Sequence, residues 1–320
     1  MIEGLVNKAI AASTAKSYLA AFNSWTEFCS LPGIRADPFA PTEESLCFYA
    51  AWANSRGAPL SHASTQKYLY GIRSVLMSEG VTFPSFHDMP LLERLMKGWK
   101  KSTYADRRKP RCPITVAVLK KMMDKIEFIH AQHRLLWAML CTGVYGLFRS
   151  GELAPPSKKS RDFLRVRDLH RDSKNHYRIF LAASKTDIWR VGVHIHILGN
   201  GSSTCPIRAI DAMLKDRDLS DPDAPLFSVD GVTPVTRYQL LRSMRKILSK
   251  AGLKPSNYSG HSLRKGGAQT LYEAGISDSQ IMIMGRWRSA CFKLYVQLTE
   301  DIRSHISSLM ATAKHSQLVP

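Results

Sequence analysis

Through the first hundred residues, apolar positions recur every three to four residues, the spacing that gathers them on one side of a helix. Tyr18, Leu19, Phe22, Trp25, Phe28 and Cys29 form one such face, with Ser13 placed to cap it. Pro41-Thr42-Glu43-Glu44 opens a second helix, with a capping hydroxyl followed by acids in the first turn. Its apolar positions are Leu46, Phe48, Tyr49 and Trp52, and Gly57 closes it. A third helix opens at Ser64 and carries Tyr68, Leu69, Ile72, Val75 and Leu76, and a fourth covers 91–99. The aromatic residues on these faces read as core. Lys67 and Arg73 fall on the polar side of the third helix, positions that suit either phosphate contact or plain solvation.

Beyond Pro113 the pattern predicts a helix to about residue 128 and a long apolar one over 130–144. Gly146-Leu-Phe-Arg149-Ser-Gly-Glu152-Leu then makes a tight turn into a short helix, leaving Arg149 where a buried helix emerges. Between 163 and 197 the period drops to two. Phe163-Leu-Arg-Val-Arg, Tyr177-Arg-Ile-Phe-Leu and Val191-Gly-Val-His-Ile-His-Ile alternate and are rich in β-branched and aromatic residues, which predicts a small antiparallel sheet. Lys185 lies between the last two strands, at the tip of a hairpin. His194 and His196 share one strand face. Their spacing resembles a metal pair, but no third ligand is near in sequence, so strand packing is the reading adopted. Helices follow at 206–216, at 237–250 behind a Thr236 cap, from His261 to Gly275, and from a Ser277 or Asp278 cap to 284. Tyr295 falls on the helix after Ser289. Ile302, Ile306, Leu309 and Met310 make an apolar stripe on a last helix over 299–314.

Composition narrows the class of protein. A hydrophobic content of 44% is globular, and 320 residues exceed what one core usually organises, so two domains are expected. The formal net charge of +19 argues for a polyanionic partner. Residues 1–111 carry 14 Lys and Arg against 9 acids, and 112–320 carry 31 against 17, so the excess is no mere tail. It is densest at Lys97, Lys100, Lys101, Arg107, Arg108, Lys109 and Arg111, a basic stretch ending at a proline and read as a linker beside DNA. Arg242, Arg245 and Lys246 on the 237–250 helix are spaced to face DNA in part. The expected organisation is a helical domain over 1–104, a linker over 105–113 and a second domain over 114–320. Six scattered cysteines without a Cys-x-x-Cys pair predict reduced thiols, neither a zinc site nor a disulfide framework. No signal pattern or membrane-length apolar run occurs, so an intracellular protein is expected.

The candidate chemistry centres on His261-Ser-Leu-Arg264-Lys-Gly-Gly. Residues i and i+3 share a helix face, so His261 and Arg264 could reach one phosphate oxygen. A lone His-x-x-Arg says little. Here it comes with Arg149 upstream, Lys185 in a hairpin, and Trp287 and Tyr295 downstream. Glu152, three residues past Arg149, could brace it by an ion pair.

That ordered set of six, Arg149, Lys185, His261, Arg264, Trp287 and Tyr295, resembles the catalytic signature of the tyrosine recombinases. Gly285-Arg286-Trp287 with a tyrosine eight residues beyond the tryptophan is most similar to recombinases of eukaryotic mobile elements, the DIRS, Ngaro and Crypton groups. The resemblance covers about residues 112–300 by motif and reaches the N-terminal part only through helical pattern. It implies a mainly α fold with a small antiparallel sheet: a helical core-binding domain and an α+β catalytic domain that together close around double-stranded DNA. It further implies a homo-oligomer, a tetramer on DNA, and a nuclear location if the source is eukaryotic. The apolar stripe of the last helix is to be buried either on a neighbouring protomer, as in such tetramers, or on the protein's own catalytic domain.

The implied chemistry needs neither metal nor cofactor. Arg149 and Arg264 would neutralise the non-bridging phosphate oxygens, and Trp287 would donate its indole N–H to the same phosphate. His261 would help accept the phenolic proton of Tyr295, which would attack to form a 3′-phosphotyrosine while Lys185 protonates the departing 5′-oxygen. Two other readings stand beside this one: a type IB topoisomerase, and a domesticated DNA-binding protein without catalysis. The residues alone, without the resemblance, stop at a basic two-domain DNA-binding protein.

Overall fold

Helical segments with apolar stripes have to bury them, and in this chain they do so around two separate cores. The computed structural model describes residues 10–103, 111–182, 191–215, 217–296, 303, 304 and 308. The chain divides into two compact units, Met1–Arg108 and Lys109–Pro320. Among the described residues no helix is long and apolar enough to cross a membrane.

The first unit consists of α1 (Ala12–Cys29), α2 (Glu43–Ser55), α3 (His62–Ser78) and α4 (Pro90–Ser102). Trp25, Phe28, Leu46, Tyr49, Ile72 and Leu76 form its centre, each at most 2% exposed. Trp25 also satisfies its indole by donating to the Pro38 carbonyl at 3.0 Å. The Thr42 cap is as expected and reciprocal: Ser45 N–H donates to Thr42 Oγ1, and Thr42 N–H to Ser45 Oγ. Glu43 does more than favour its own helix. Its carboxylate accepts the Leu91 and Leu92 N–H groups at 2.6 and 3.0 Å, capping α4 from another helix.

Two caps differ from expectation. α1 begins at Ala12, so Ser13 lies inside it, and the Ser13 carbonyl takes the Ser17 hydroxyl at 2.9 Å. α3 begins a turn early because Ser61, not Ser64, accepts the orphan N–H, which is that of Ser64 itself. Leu19 and Phe48, expected on core faces, are 55% and 58% exposed.

In the second unit, α6 (Ala131–Tyr145) is the axis. Every residue from Leu135 to Val144 is buried, as befits a helix apolar all round. Around it stand α5 (Val116–Met123), the one-turn α7 (Ser150–Leu153), α8 (Pro206–Leu214), α9 (Arg237–Lys250) and α10 (His261–Glu273), followed by α11 (Asp278–Gly285). α5 stops five residues short of the expected end. The Gly-Gly of the His261 stretch has a packing reason: a Cβ on Gly266 would lie 1.7 Å from the Ile114 carbonyl oxygen, so only glycine lets α10 come this close.

Strands β1 (Leu169–Ser173), β2 (His176–Leu181) and β3 (Val193–Leu198) form the antiparallel sheet in the order β1-β2-β3. Tyr177, Ile179, Leu181, Ile195 and Ile197 turn inward to the core. The first strand is not the expected 163–167. There Arg165 N–H donates to the Asp168 carboxylate and closes a 3-10 turn, Val166–Asp168. The alternating residues of that segment pair instead with 224–226, through Leu226 N–H to Leu164 O and Val166 N–H to Ala224 O. The sheet begins only afterwards.

Candidate active site

The site grows from a strained turn. After α6, Leu147 adopts a left-handed backbone (φ 48°), unusual for a branched side chain. The turn buries Phe148 and throws Arg149 to the surface side of the core, as the residue preceding α7. Glu152, one turn on and only 6% exposed in its side chain, grips Arg149 twice. It accepts the Arg149 backbone N–H at 2.8 Å and its Nη1 at 2.6 Å.

Arg264 enters from α10, one turn past His261. The residue is 2% exposed, and its guanidinium donates to the Leu147 carbonyl at 2.5 Å and to the Gly285 carbonyl. Burial, and then the charges of Arg149 and Arg286, pull it down to about 10. The Trp287 ring lies over its face with the guanidinium carbon 4.3 Å from the ring centroid. Gly285 makes this possible, since a Cβ there would sit 1.7 Å from the indole.

Tyr295 closes the short 3-10 helix Ala290–Leu294 rather than lying on an α-helix, and is half-buried. Its ring is 6.0 Å from that of Trp287, and the Lys265 Nζ lies 5.6 Å from its centroid. His261 is the exposed first residue of α10. Arg149, Glu152, Arg264, Trp287 and Tyr295 thus come together from three separated stretches, with His261 on the helix that brings Arg264.

Lys185 lies outside the described residues. The strands that flank it are paired through Leu181 and Val193. A cleft of about 460 Å³ joins Arg149 and Glu152 to Arg161, Arg165 and Arg167 and reaches Ala182, the last described residue before Lys185.

Two participants escaped sequence reasoning. Arg286 follows α11 in a left-handed conformation (φ 58°) and turns inward. It donates to the Gly146 and Leu147 carbonyls at 3.2 Å each and to the second Glu152 oxygen at 2.9 Å, with its carbon 5.5 Å over Phe148. Burial lowers its pKa, a shift that Glu152 opposes. Lys265, held by the Arg111 carbonyl, is likewise lowered by burial. The only sequence signal for Arg286 was its place inside the Gly285-Arg286-Trp287 motif.

The candidate DNA contacts are dispersed. Lys67, Lys100, Lys101, Arg242, Arg245 and Lys246 are exposed, the last three lining a shallow cleft with Tyr238. Lys97 is paired with Glu93 at 2.7 Å, and Arg111 donates to the Ser256 carbonyl. Arg73 is half-buried, its Nε without a hydrogen-bond partner. Arg107, Arg108 and Lys109 lie outside the described residues, as do Ile302, Ile306, Leu309 and Met310.

No family model and no curated protein matches the chain by sequence. Solved structures do match in fold. XerH site-specific recombinase bound to palindromic difH substrate, in a post-cleavage complex, aligns with a TM-score of 0.62 and 14% identity over 93% of this chain and 79% of that one. The Tn1549 transposon integrase in complex with transposon right end DNA gives 0.59 and 13%, over 94% and 95%. A lambda integrase tetramer bound to a Holliday junction gives 0.56 and 16%, over 90% and 75%. The chain therefore has the fold of the tyrosine recombinases and integrases.

Proposed function

We propose that this protein is a tyrosine-type DNA recombinase that cuts and rejoins strands through a 3′-phosphotyrosine, in the service of a mobile element of the DIRS, Ngaro or Crypton kind. The observation that carries the reading is the charge of the site. Arg149 and Arg286 both pair with one carboxylate, Glu152, and the guanidinium of Arg264 is buried beside them, so three positive charges share one negative charge in largely buried surroundings. Buried charge left uncompensated is costly, and a phosphodiester is the anion that would offset it. The fold shared with recombinases and integrases supports the same class.

In the proposed reaction, Arg149 and Arg264 hold the non-bridging oxygens and stabilise the added charge as phosphorus becomes five-coordinate. Because Arg264 is 2% exposed beneath Trp287, entry of the phosphate includes a shift of the indole that uncovers the guanidinium and brings the indole N–H onto the phosphate. The Tyr295 oxygen attacks phosphorus as its proton passes toward His261. The bond to the 5′-oxygen breaks, and Lys185 supplies the proton that oxygen needs. A second strand's 5′-hydroxyl then attacks the phosphotyrosine and restores both tyrosine and diester, without ATP.

Work on duplex sites implies a homo-oligomer, a tetramer on DNA, located in the nucleus if the source is eukaryotic. The exposed apolar side chains of Ile283, Met284 and Leu294, beside the Tyr295 element, suit a protein neighbour. Lambda integrase, a protein of like fold, forms a tetramer bound to a Holliday junction.

The test is to incubate the protein with nicked duplexes carrying candidate element ends and to resolve the products under denaturing conditions. A covalent protein–DNA complex bearing a free 5′-hydroxyl is expected. Relaxation of supercoils by a protein that stays monomeric would favour a topoisomerase, and binding without any adduct a non-catalytic DNA-binding protein.

A further inference from the structure

The outer face of the sheet has a chemistry of its own, apart from the arginine cluster. Four of the chain's eleven histidines stand on it: His170, His176, His194 and His196. They divide into two groups. His194 packs on Phe180, ring centroids 4.9 Å apart, with His170 at 6.4 Å. That half fulfils the strand-packing expectation. His196 packs on a histidine instead, its ring stacked on that of His176 with centroids 5.1 Å apart. It sits directly across from Arg178 in the β2–β3 register, and its Nδ1 is 2.9 Å from the Nε2 of His176.

A third donor arrives by a backbone irregularity. Arg171 pairs with Tyr177 and Ser173 with His176, so the register slips by one residue at Asp172. Such a bulge re-aims a side chain that regular pairing would place elsewhere. Here Asp172 reaches the other ring nitrogen of His176, with Oδ2 3.5 Å from Nδ1, and touches Arg178 at 3.4 Å. One potential ligand atom from each of Asp172, His176 and His196 lies within 4.8 Å of the other two. Sequence spacing could not reveal this set, because the third member comes from another strand.

We propose that Asp172, His176 and His196 form a binding site for one divalent transition-metal ion, with zinc as the natural occupant. Two imidazoles and one carboxylate suit such an ion better than calcium or magnesium, which prefer all-oxygen sites. At metal–nitrogen distances of about 2.0–2.1 Å, tetrahedral geometry sets the two nitrogens about 3.3 Å apart. The observed nitrogen pair opens by roughly 0.4 Å to admit the ion, and the exposed Asp172 carboxylate, which faces Nδ1 of His176 in this structure, swings toward Nε2 from within 4.8 Å. Asp172 exchanges Arg178 for the metal, and water completes the coordination. The ion joins the β1–β2 turn to β3, bracing the sheet whose two longer strands flank the Lys185 segment. The proposal stands independently of the reaction assigned to Tyr295.

Cobalt(II) serves as the probe because its visible spectrum reports coordination. Full-length protein stripped with a chelator is titrated with Co²⁺, and thermal unfolding is followed with and without the ion. One equivalent is expected to bind with the intense bands of a four-coordinate site, without the charge-transfer band of a thiolate ligand, and to raise the unfolding temperature. His196→Asn and His176→Asn are each expected to weaken binding at least about tenfold, and Asp172→Asn by about 10- to 100-fold. His194→Asn, on the same face but outside the set, is expected to bind like the wild type. Far-UV circular dichroism checks that each variant is folded, and His196→Asn, being exposed, carries the test if His176→Asn is not. The proposal fails if the wild type shows no saturable binding, if His196→Asn binds equally well, or if a thiolate band places the ion on cysteine.

Discussion

The Arg286 guanidinium donates to the Glu152 carboxylate at 2.9 Å, joining two turns 134 residues apart in the chain. The other oxygen of Glu152 holds Arg149 at 2.6 Å. One carboxylate thereby aligns two arginines, and the Leu147 carbonyl, accepting from both Arg264 and Arg286, ties in the third. The turn that offers this carbonyl is left-handed at Leu147, and the turn that aims Arg286 is left-handed at Arg286 itself. Such conformations persist where the surrounding structure over-determines them.

Glu152→Gln removes the shared counter-charge while keeping the shape. A stability loss of about 1.5–3 kcal/mol is expected, the range for hydrogen bonds to charged groups. The larger cost of a broken, fully buried ion pair does not apply in full, because the side chains of its two partners, Arg149 and Arg286, are 21% and 12% exposed. Arg286→Met acts differently: displacing Arg149 and Arg264 slightly is expected to slow adduct formation about 100-fold while DNA affinity hardly changes. Urea unfolding reads the first effect and single-turnover cleavage the second. An Arg286→Met protein that loses affinity and rate in equal measure would make Arg286 a DNA contact and not a positioning residue.

Much of the fold was legible because local pattern decided it. The Thr42 and Thr236 caps and the buried α6 follow from residues within a turn or two of one another, and β2–β3 from two alternating runs joined by a single short connection. What was not legible depended on distant partners. Glu43 caps α4 from 48 residues away, and residues 163–167 pair with 224–226 instead of joining the sheet. The site divides in the same way. Arg149, Arg264, Trp287 and Tyr295 stood out by order and spacing, and they do converge. Arg286 and Lys265 did not, because their inward direction comes from a left-handed turn and from the packing of α10. Asp172 joins His176 and His196 only through a bulge, which no periodicity announces.

The role proposed for Lys185 has a direct chemical test. As the leaving-group acid, its loss in Lys185→Ala should be rescued by DNA in which sulfur replaces the bridging 5′-oxygen, since that leaving group requires no proton. Cleavage rates on normal and sulfur-substituted strands give the comparison. Equal defects on both would remove Lys185 from the acid's role.

Salt dependence tests the basic surface. Each unit carries exposed lysines and arginines, so affinity for a duplex should fall steeply and linearly on a double-logarithmic plot against salt. Replacing Arg242, Arg245 and Lys246 together with alanine should lower the slope by about 0.9 for each phosphate they neutralise. An unchanged slope would take the α9 face out of the DNA-binding surface.

The nucleophile is the centre of the proposed reaction, and one comparison tests it most directly. Wild-type and Tyr295→Phe proteins are incubated with the same nicked duplexes, and any covalent complex is digested and mapped by mass spectrometry. The wild type is expected to yield DNA attached to the peptide bearing Tyr295. The phenylalanine variant is expected to bind with nearly unchanged affinity, because one hydroxyl adds little to a largely phosphate-driven interaction, and to form no adduct. An adduct that persists in Tyr295→Phe, or one that maps to Tyr272 in the same apolar cluster, would contradict the assignment.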